Sequence, residues 1–182
     1  MRKSIDSNLY KQIINKMPIP TVDVLIFDKS LEKTLLFLRK NVPLKGDYYS
    51  IGGRLEKGEN LVEGAINNFY EEMGIKLSKK DLYPVGTINE IFDETSFGKN
   101  GGIHSVNYFF ALKVNGNLKI ELDSQHSEHK WFDVNEKSLH PYMTEKIKRS
   151  LEILKKPSKF SRLFHQRFFS MKVLFCQVLS LV

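Results

Sequence analysis

The stretch GGRLEKGENLVEGAINNFYEEMGI, from Gly52 to Ile75, constrains this chain more than any other. It opens on two glycines, which allow close backbone approach. Asn60-Leu61-Val62-Glu63 fits a capping box, with Asn where Ser or Thr is more usual, so a helix is expected to start after Gly58. Val62, Ile66, Phe69 and Met73 then fall on one stripe, and Gly74 suits the position after the last turn. A rotation of about 100° per residue puts Asn68, Glu71 and Glu72 away from that stripe. Glu59 sits just before the helix and can turn toward the same region. A carbonyl at Gly52 or Gly53 can join these groups. Oxygen donors at this density suit a hard divalent cation, Mg²⁺ or Mn²⁺, held partly through a substrate phosphate. The plainer alternative is an acidic, solvated helix end.

The flanking sequence gives this helix a setting. Residues 4–17 place Tyr10, Ile13, Ile14 and Met17 at helical spacing, with Ser4, Asp6 and Ser7 as possible caps, and Pro18 and Pro20 end that helix. TVDVLIF (21–27) and TLLFLR (34–39) read as strands, and DYYSI (47–51) as a short one after a Pro- and Gly-containing loop. Further strands are expected at 82–92, 104–114, 117–122 and 129–134, with Trp131 in the core. A last helix is expected over 144–154, with Ile147, Leu151 and Leu154 inward. This order predicts an α+β or α/β/α sandwich on a central mixed sheet, occupying residues 1–154 as one domain.

The segment Gly53–Ile75 resembles the Nudix box, G-x5-E-x7-R-E-U-x-E-E-x-G-U, where U is bulky and apolar. Gly53, Glu59, Phe69, Glu71, Glu72, Gly74 and Ile75 fall on its positions, whereas Asn67 and Asn68 stand where Arg and Glu are expected. The resemblance implies the Nudix fold. Ordinary Nudix hydrolases use the Glu at position 68 for metal and often as the base for attack on phosphorus, and an amide cannot take a proton at neutral pH. Over about residues 8–154 the chain is similar to the GDP-mannose mannosyl hydrolase family, which also lacks that Glu and cleaves at the sugar C1. By that resemblance Gly52, Glu72 and Gln125 bind Mg²⁺, with Glu71 and Glu59 beside them. His126 in a loop activates water, and Arg39 steadies the departing diphosphate. Asp23, Tyr10 and Tyr108 match a substrate-site carboxylate, an aromatic near the nucleotide and a site tyrosine. The family's brace at 67 is Asn67 here, and a family histidine aligns with Glu90.

The implied reaction is Mg²⁺-dependent hydrolysis of a GDP-sugar, GDP-mannose or GDP-glucose, to GDP and free hexose with inversion. Cation and Arg39 neutralise the leaving diphosphate, and a base of near-neutral pKa, His126, takes the proton of water. His129 is the rival base. His104, His140 and His165 read as surface or locally bonded, Arg39 also as a strand-end charge, and Tyr10 also as part of an apolar helix face. The other functions weighed are a Nudix pyrophosphohydrolase with Glu71 as base, and a degenerate domain that binds nucleotide sugar without turnover.

Charge argues against nucleic acid as a partner. Of the net +7, six positive charges (Lys155, Lys156, Lys159, Arg162, Arg167 and Lys172) lie in the tail 155–182, which holds no Asp or Glu, so 7 − 6 leaves the body near +1. The tail interleaves basic residues with Phe and Leu, a pattern suited to weak contact with an anionic membrane surface, to packing on a partner copy, or to an unordered terminus. Its apolar run after Lys172 is too short to span a bilayer, which takes about 20 residues. A single cysteine, Cys176, and no apolar leader near the start are read as a protein of the reducing cytoplasm. A homodimer is what the family resemblance implies.

Overall fold

A computed structural model describes residues 5–98, 102–115 and 126–156, with the side chains of His126 and Ser127 excepted. The expected strand at 117–122, Gln125 and the tail beyond residue 156 lie outside the described residues.

Helix α1 (Ser7–Ile14) is capped by Asp6, whose carboxylate accepts from the amides of Asn8 and Leu9. It is shorter than the spacing predicts. Ile14 is buried, but Met17 falls beyond the helix and is 56% exposed. Strand β1 (Ile19–Asp28) follows at once, so Pro20 lies within it. Then come β2 (Lys33–Arg39), β3 (Tyr48–Tyr49), β4 (Ile51–Arg54), α2 (Leu61–Met73), β5 (Leu82–Phe92), β6 (Ile103–Val114), β7 (His126–Asp133) and α3 (Pro141–Leu154). The expected single strand 47–51 is two short strands, and the Gly52-Gly53 pair is inside the second. Strand β7 starts earlier than its apolar residues suggest, so His126 opens a strand rather than sitting in a loop. Its backbone registers with Arg39. Helix α3 also starts early, at Pro141, because the His140 side chain caps it by accepting from the Tyr142 amide.

The sheet has seven strands in the order β3-β2-β1-β6-β5, with β4 also paired to β1 and β7 to β2. It is mixed. β1 runs parallel to β6 from Ile19↔Ser105 to Asp28↔Val114, and every other pairing is antiparallel. Helices cover both faces, giving the expected sandwich. β1 is apolar almost throughout because it is buried on both sides. Val22, Val24 and Ile26 join Phe37, Ile51, Ala65, Phe69 and Met73 beneath α2. Leu25 and Phe27 join Leu36, Phe109, Ala111, Met143 and Ile147 beneath α3. By the strand's period of two, Asp23 shares the α3 face with Leu25 and Phe27. Along the same edge, the first half of β1 pairs with β4 and its second half with β2. No helix among the described residues is long and apolar enough to cross a membrane.

Candidate active site

The capping box at Asn60 and Glu63 forms as expected, and Gly74 ends α2 at φ +68°, a left-handed conformation that glycine adopts readily. What differs is the helix's rotation. Asn68 and Glu72 do not point away from the core: they are 1% and 7% exposed, on the flank of α2 that meets β4 and β1. Asn68 Nδ2 donates to the Val22 carbonyl at 3.1 Å, and Glu72 accepts from the Gly52 N–H at 3.1 Å. Gly52 is required here. A Cβ on it would stand 2.2 Å from Asp23 Oδ1 and 2.5 Å from the Val22 carbonyl oxygen.

These residues form one wall of a cavity of about 590 Å³, a size that suits a small molecule. Gly52, Gly53, Asn68, the exposed Glu71 and Glu72 all line it. Glu59 does not. Its carboxylate is turned away, accepting from the Glu56 amide at 3.0 Å and from Asn67 Nδ2 at 2.7 Å. The residue that stands for the missing Arg thus braces Glu59 rather than leaving it to reach the cavity. Among the described residues no three His, Cys, Asp or Glu side chains converge as a metal site. The donors on this wall still fit a hard divalent cation. They are oxygens, and Asn68 Oδ1 is buried with no hydrogen-bond partner among the described residues.

The floor of the cavity belongs to the α3 side. Asp23 Oδ2 accepts from Ser50 Oγ at 2.7 Å and from Lys146 Nζ at 2.8 Å. Lys146 is wholly buried and also reaches Glu90 Oε1 at 2.6 Å. Tyr49 Oη donates to the same Glu90 oxygen at 2.5 Å, and Ser105 Oγ approaches Oε2 at 3.4 Å. The ammonium lies over the Tyr49 ring, 4.7 Å from its centroid. Burial pushes the Tyr49 hydroxyl pKa far up, and the neighbouring Glu90 carboxylate adds to it. Asn107, 1% exposed, donates to Thr21 Oγ1 at 2.8 Å and leaves its Oδ1 without a partner among the described residues.

The mouth is framed by charge and aromatic surface. Arg39 lines it, its Nε donating to the Pro43 carbonyl at 3.1 Å. Tyr10 lines it from α1, with the Arg54 guanidinium 4.9 Å above its ring and Phe97 tilted against it at 6.1 Å. Burial raises the Tyr10 hydroxyl pKa, with Arg54 opposing that rise. Tyr108 is not brought to this cavity; it packs against the core under α2 and against Phe110. His129 is exposed and registers with Phe37, three residues along β7 from His126.

The structure therefore gathers Tyr10, Asp23, Arg39, Gly52, Glu71 and Glu72 around one cavity and leaves out Glu59 and Tyr108. Sequence reading missed Lys146, Tyr49, Ser50 and Asn107 altogether. A signal existed for Lys146: it falls three residues after Met143 and one before Ile147, on the buried arc of α3.

A model of the NUDIX domain family matches residues 17–152. The low-salt glycan biosynthesis protein Agl8 of Haloferax volcanii is 26% identical over 76% of this chain and 86% of its own length. An ADP-ribose pyrophosphatase of Methanocaldococcus jannaschii is 33% identical over 57% of this chain and 56% of its own. Among solved structures, a MutT protein from Methanosarcina mazei superposes with a TM-score of 0.60 at 22% identity, covering 78% of this chain and 99% of that one.

Proposed function

This chain belongs to the NUDIX domain family, whose members hydrolyse nucleoside diphosphate derivatives with a divalent cation, and on that premise we propose that it hydrolyses a GDP-sugar at the sugar C1. The products are GDP and a free hexose, mannose or glucose, formed with inversion. The observation that carries this reading is the setting of Asn68. It is an amide, spent through its nitrogen on Val22, on the wall where a carboxylate base for attack on phosphorus would stand. A relative named for glycan biosynthesis supports a substrate that carries sugar.

Glu72, Glu71, the Asn68 amide oxygen and Gly52 would hold Mg²⁺ or Mn²⁺, with Gln125 joining from outside the described residues. When bound, the cation supplies neutralising charge to the diphosphate oxygens. Arg39, on the same cavity, adds a fixed positive charge where the leaving diphosphate gathers its negative one. Tyr10 offers its half-buried ring to the nucleoside. His126, opposite Arg39 in backbone register, takes the proton from the water that attacks C1. The neutral Asn68 costs this reaction little, since phosphorus is not attacked. The reading includes a homodimer in the cytoplasm, with residues 1–154 as the domain and 155–182 as a separate tail in weak contact with a membrane surface.

Glu71, exposed on the cavity wall, favours a second reading: attack on phosphorus with Glu71 as base. Hydrolysis in ¹⁸O-water decides between them. Label in the hexose with unlabelled GDP supports attack at C1; label on phosphate overturns it.

A further inference from the structure

The polar floor around Lys146 has no task in the reaction outlined above, and it is expensive to build. Two carboxylates, 6% and 4% exposed, and one fully buried ammonium are removed from water together. Such groups cost free energy unless paired and hydrogen-bonded. Here the pairing is one-sided. Lys146 and Tyr49 both address Oε1 of Glu90, and Lys146 and Ser50 both address Oδ2 of Asp23. The far oxygen of Glu90 has Ser105 Oγ at 3.4 Å. Two residues along β6 from Ser105, the Oδ1 of Asn107 is buried and without a partner among the described residues. All four of Asp23, Glu90, Ser105 and Asn107 line the cavity, while the buried Lys146 holds Asp23 and Glu90 from beneath.

The balance of groups selects a ligand. Acceptors outnumber donors on this floor, where two carboxylates share one ammonium and the Arg39 guanidinium acts on Tyr49 from the mouth of the cavity. A ligand part lying here must donate hydrogen bonds and must not carry negative charge. The ring of a neutral hexose, with adjacent hydroxyls, meets both demands. A uronate or a phosphorylated sugar still donates through its hydroxyls but fails the second demand.

We propose that Glu90 and Asn107 are the specificity-determining acceptors of a neutral-sugar subsite, and that Lys146 is the positioning residue that holds Glu90 and Asp23 in place for it. The proposal rests on the reading above only so far as the ligand carries a sugar; it does not depend on which bond breaks.

The test is calorimetric binding by the full chain, with Ca²⁺ in place of Mg²⁺, of GDP, GDP-mannose, GDP-glucose, UDP-glucose and UDP-glucuronate. Wild type should bind at least one GDP-hexose about 10-fold or more tightly than GDP, and UDP-glucose more tightly than UDP-glucuronate. Glu90→Gln, nearly isosteric, should erase that hexose advantage and narrow the glucose–glucuronate gap, while leaving GDP affinity unchanged. Lys146→Met should erase the same advantage with GDP affinity intact. A merely structural Glu90 would lower GDP and GDP-hexose affinity in step, and that result overturns the proposal. So does a hexose advantage that survives Glu90→Gln, or one absent from wild type. Should Lys146→Met fail to fold, the Glu90→Gln arm still decides. Failure of the C1 chemistry would show separately, as isotope on phosphate with the binding differences unchanged.

Discussion

Glu72 and Gly52 are joined by a hydrogen bond of 3.1 Å, the carboxylate on α2 accepting from the backbone amide on β4. This contact seats the helix where β1 has two glycines across from it, Gly53 opposite Val22 and Gly52 opposite Asp23. The pairing Asp23↔Gly52 brings the two backbones together, and the cavity opens above them.

Gly52→Ala tests that seat. Its Cβ would meet Asp23 Oδ1 at 2.2 Å and the Val22 carbonyl at 2.5 Å, so β4 must shift. A loss of about 1–3 kcal/mol of stability is expected, as for other overpacked sites, together with weaker activation by Mg²⁺. Urea denaturation and a Mg²⁺ titration of turnover measure the two effects.

Asn68→Asp replaces a donor with an acceptor facing the Val22 carbonyl. Without divalent cation the variant should be less stable than wild type by about 1–3 kcal/mol, since the buried carbonyl loses its partner. Mg²⁺ should stabilise it more than it stabilises wild type, because the site gains a charged oxygen. Thermal melts across a Mg²⁺ series report this, and equal stabilisation of both proteins would count against a cation at this wall.

His126→Ala should lower kcat by about 10²–10⁴-fold, the usual worth of a positioned general base, while GDP binding stays at its wild-type value. His129→Ala should leave kcat near wild type, since that residue is exposed on β7 and stacks its ring near Phe37. Steady-state kinetics on both variants would reverse the assignment if the losses were exchanged.

Tyr49 gives a pH dependence with a definite sign. Its folded-state pKa is raised, by burial first and then by Glu90, above the unfolded value of about 10. Above that pH the unfolded chain sheds a proton that the folded chain keeps, so stability is full below pH of about 10 and declines as pH rises further. Melting temperatures from pH 8 to 11 should fall more steeply for wild type than for Tyr49→Phe. Parallel curves would remove the tyrosine as the cause.

Local signals carried most of the fold. The Asn60 cap, the Gly74 terminus and strand β5 are written in neighbouring residues and formed where those residues placed them. What escaped was set by partners distant in sequence. Helical period gives Asn68 a direction but not the fact that β1 and β4 wait on that side. Glu59 looked available for a cation until Asn67, on the next turns of chain, took one of its oxygens. Helical spacing puts Lys146 on the buried arc of α3, but no neighbouring residue says what would meet a charge there. Only Asp23 and Glu90, brought from two other strands, make its burial tolerable.

The parallel pairing of β1 with β6 has a consequence for how the chain is made. Thr21 meets Asn107 across a separation of 86 residues, so the innermost seam of the protein closes only after most of the domain has been synthesised. Contacts of such span slow folding, because the loop entropy is lost before they form. On the ribosome β1, apolar on both faces, must therefore wait unpaired on that side until β6 emerges, which makes its early exposure the point at which nascent chains are most prone to self-association.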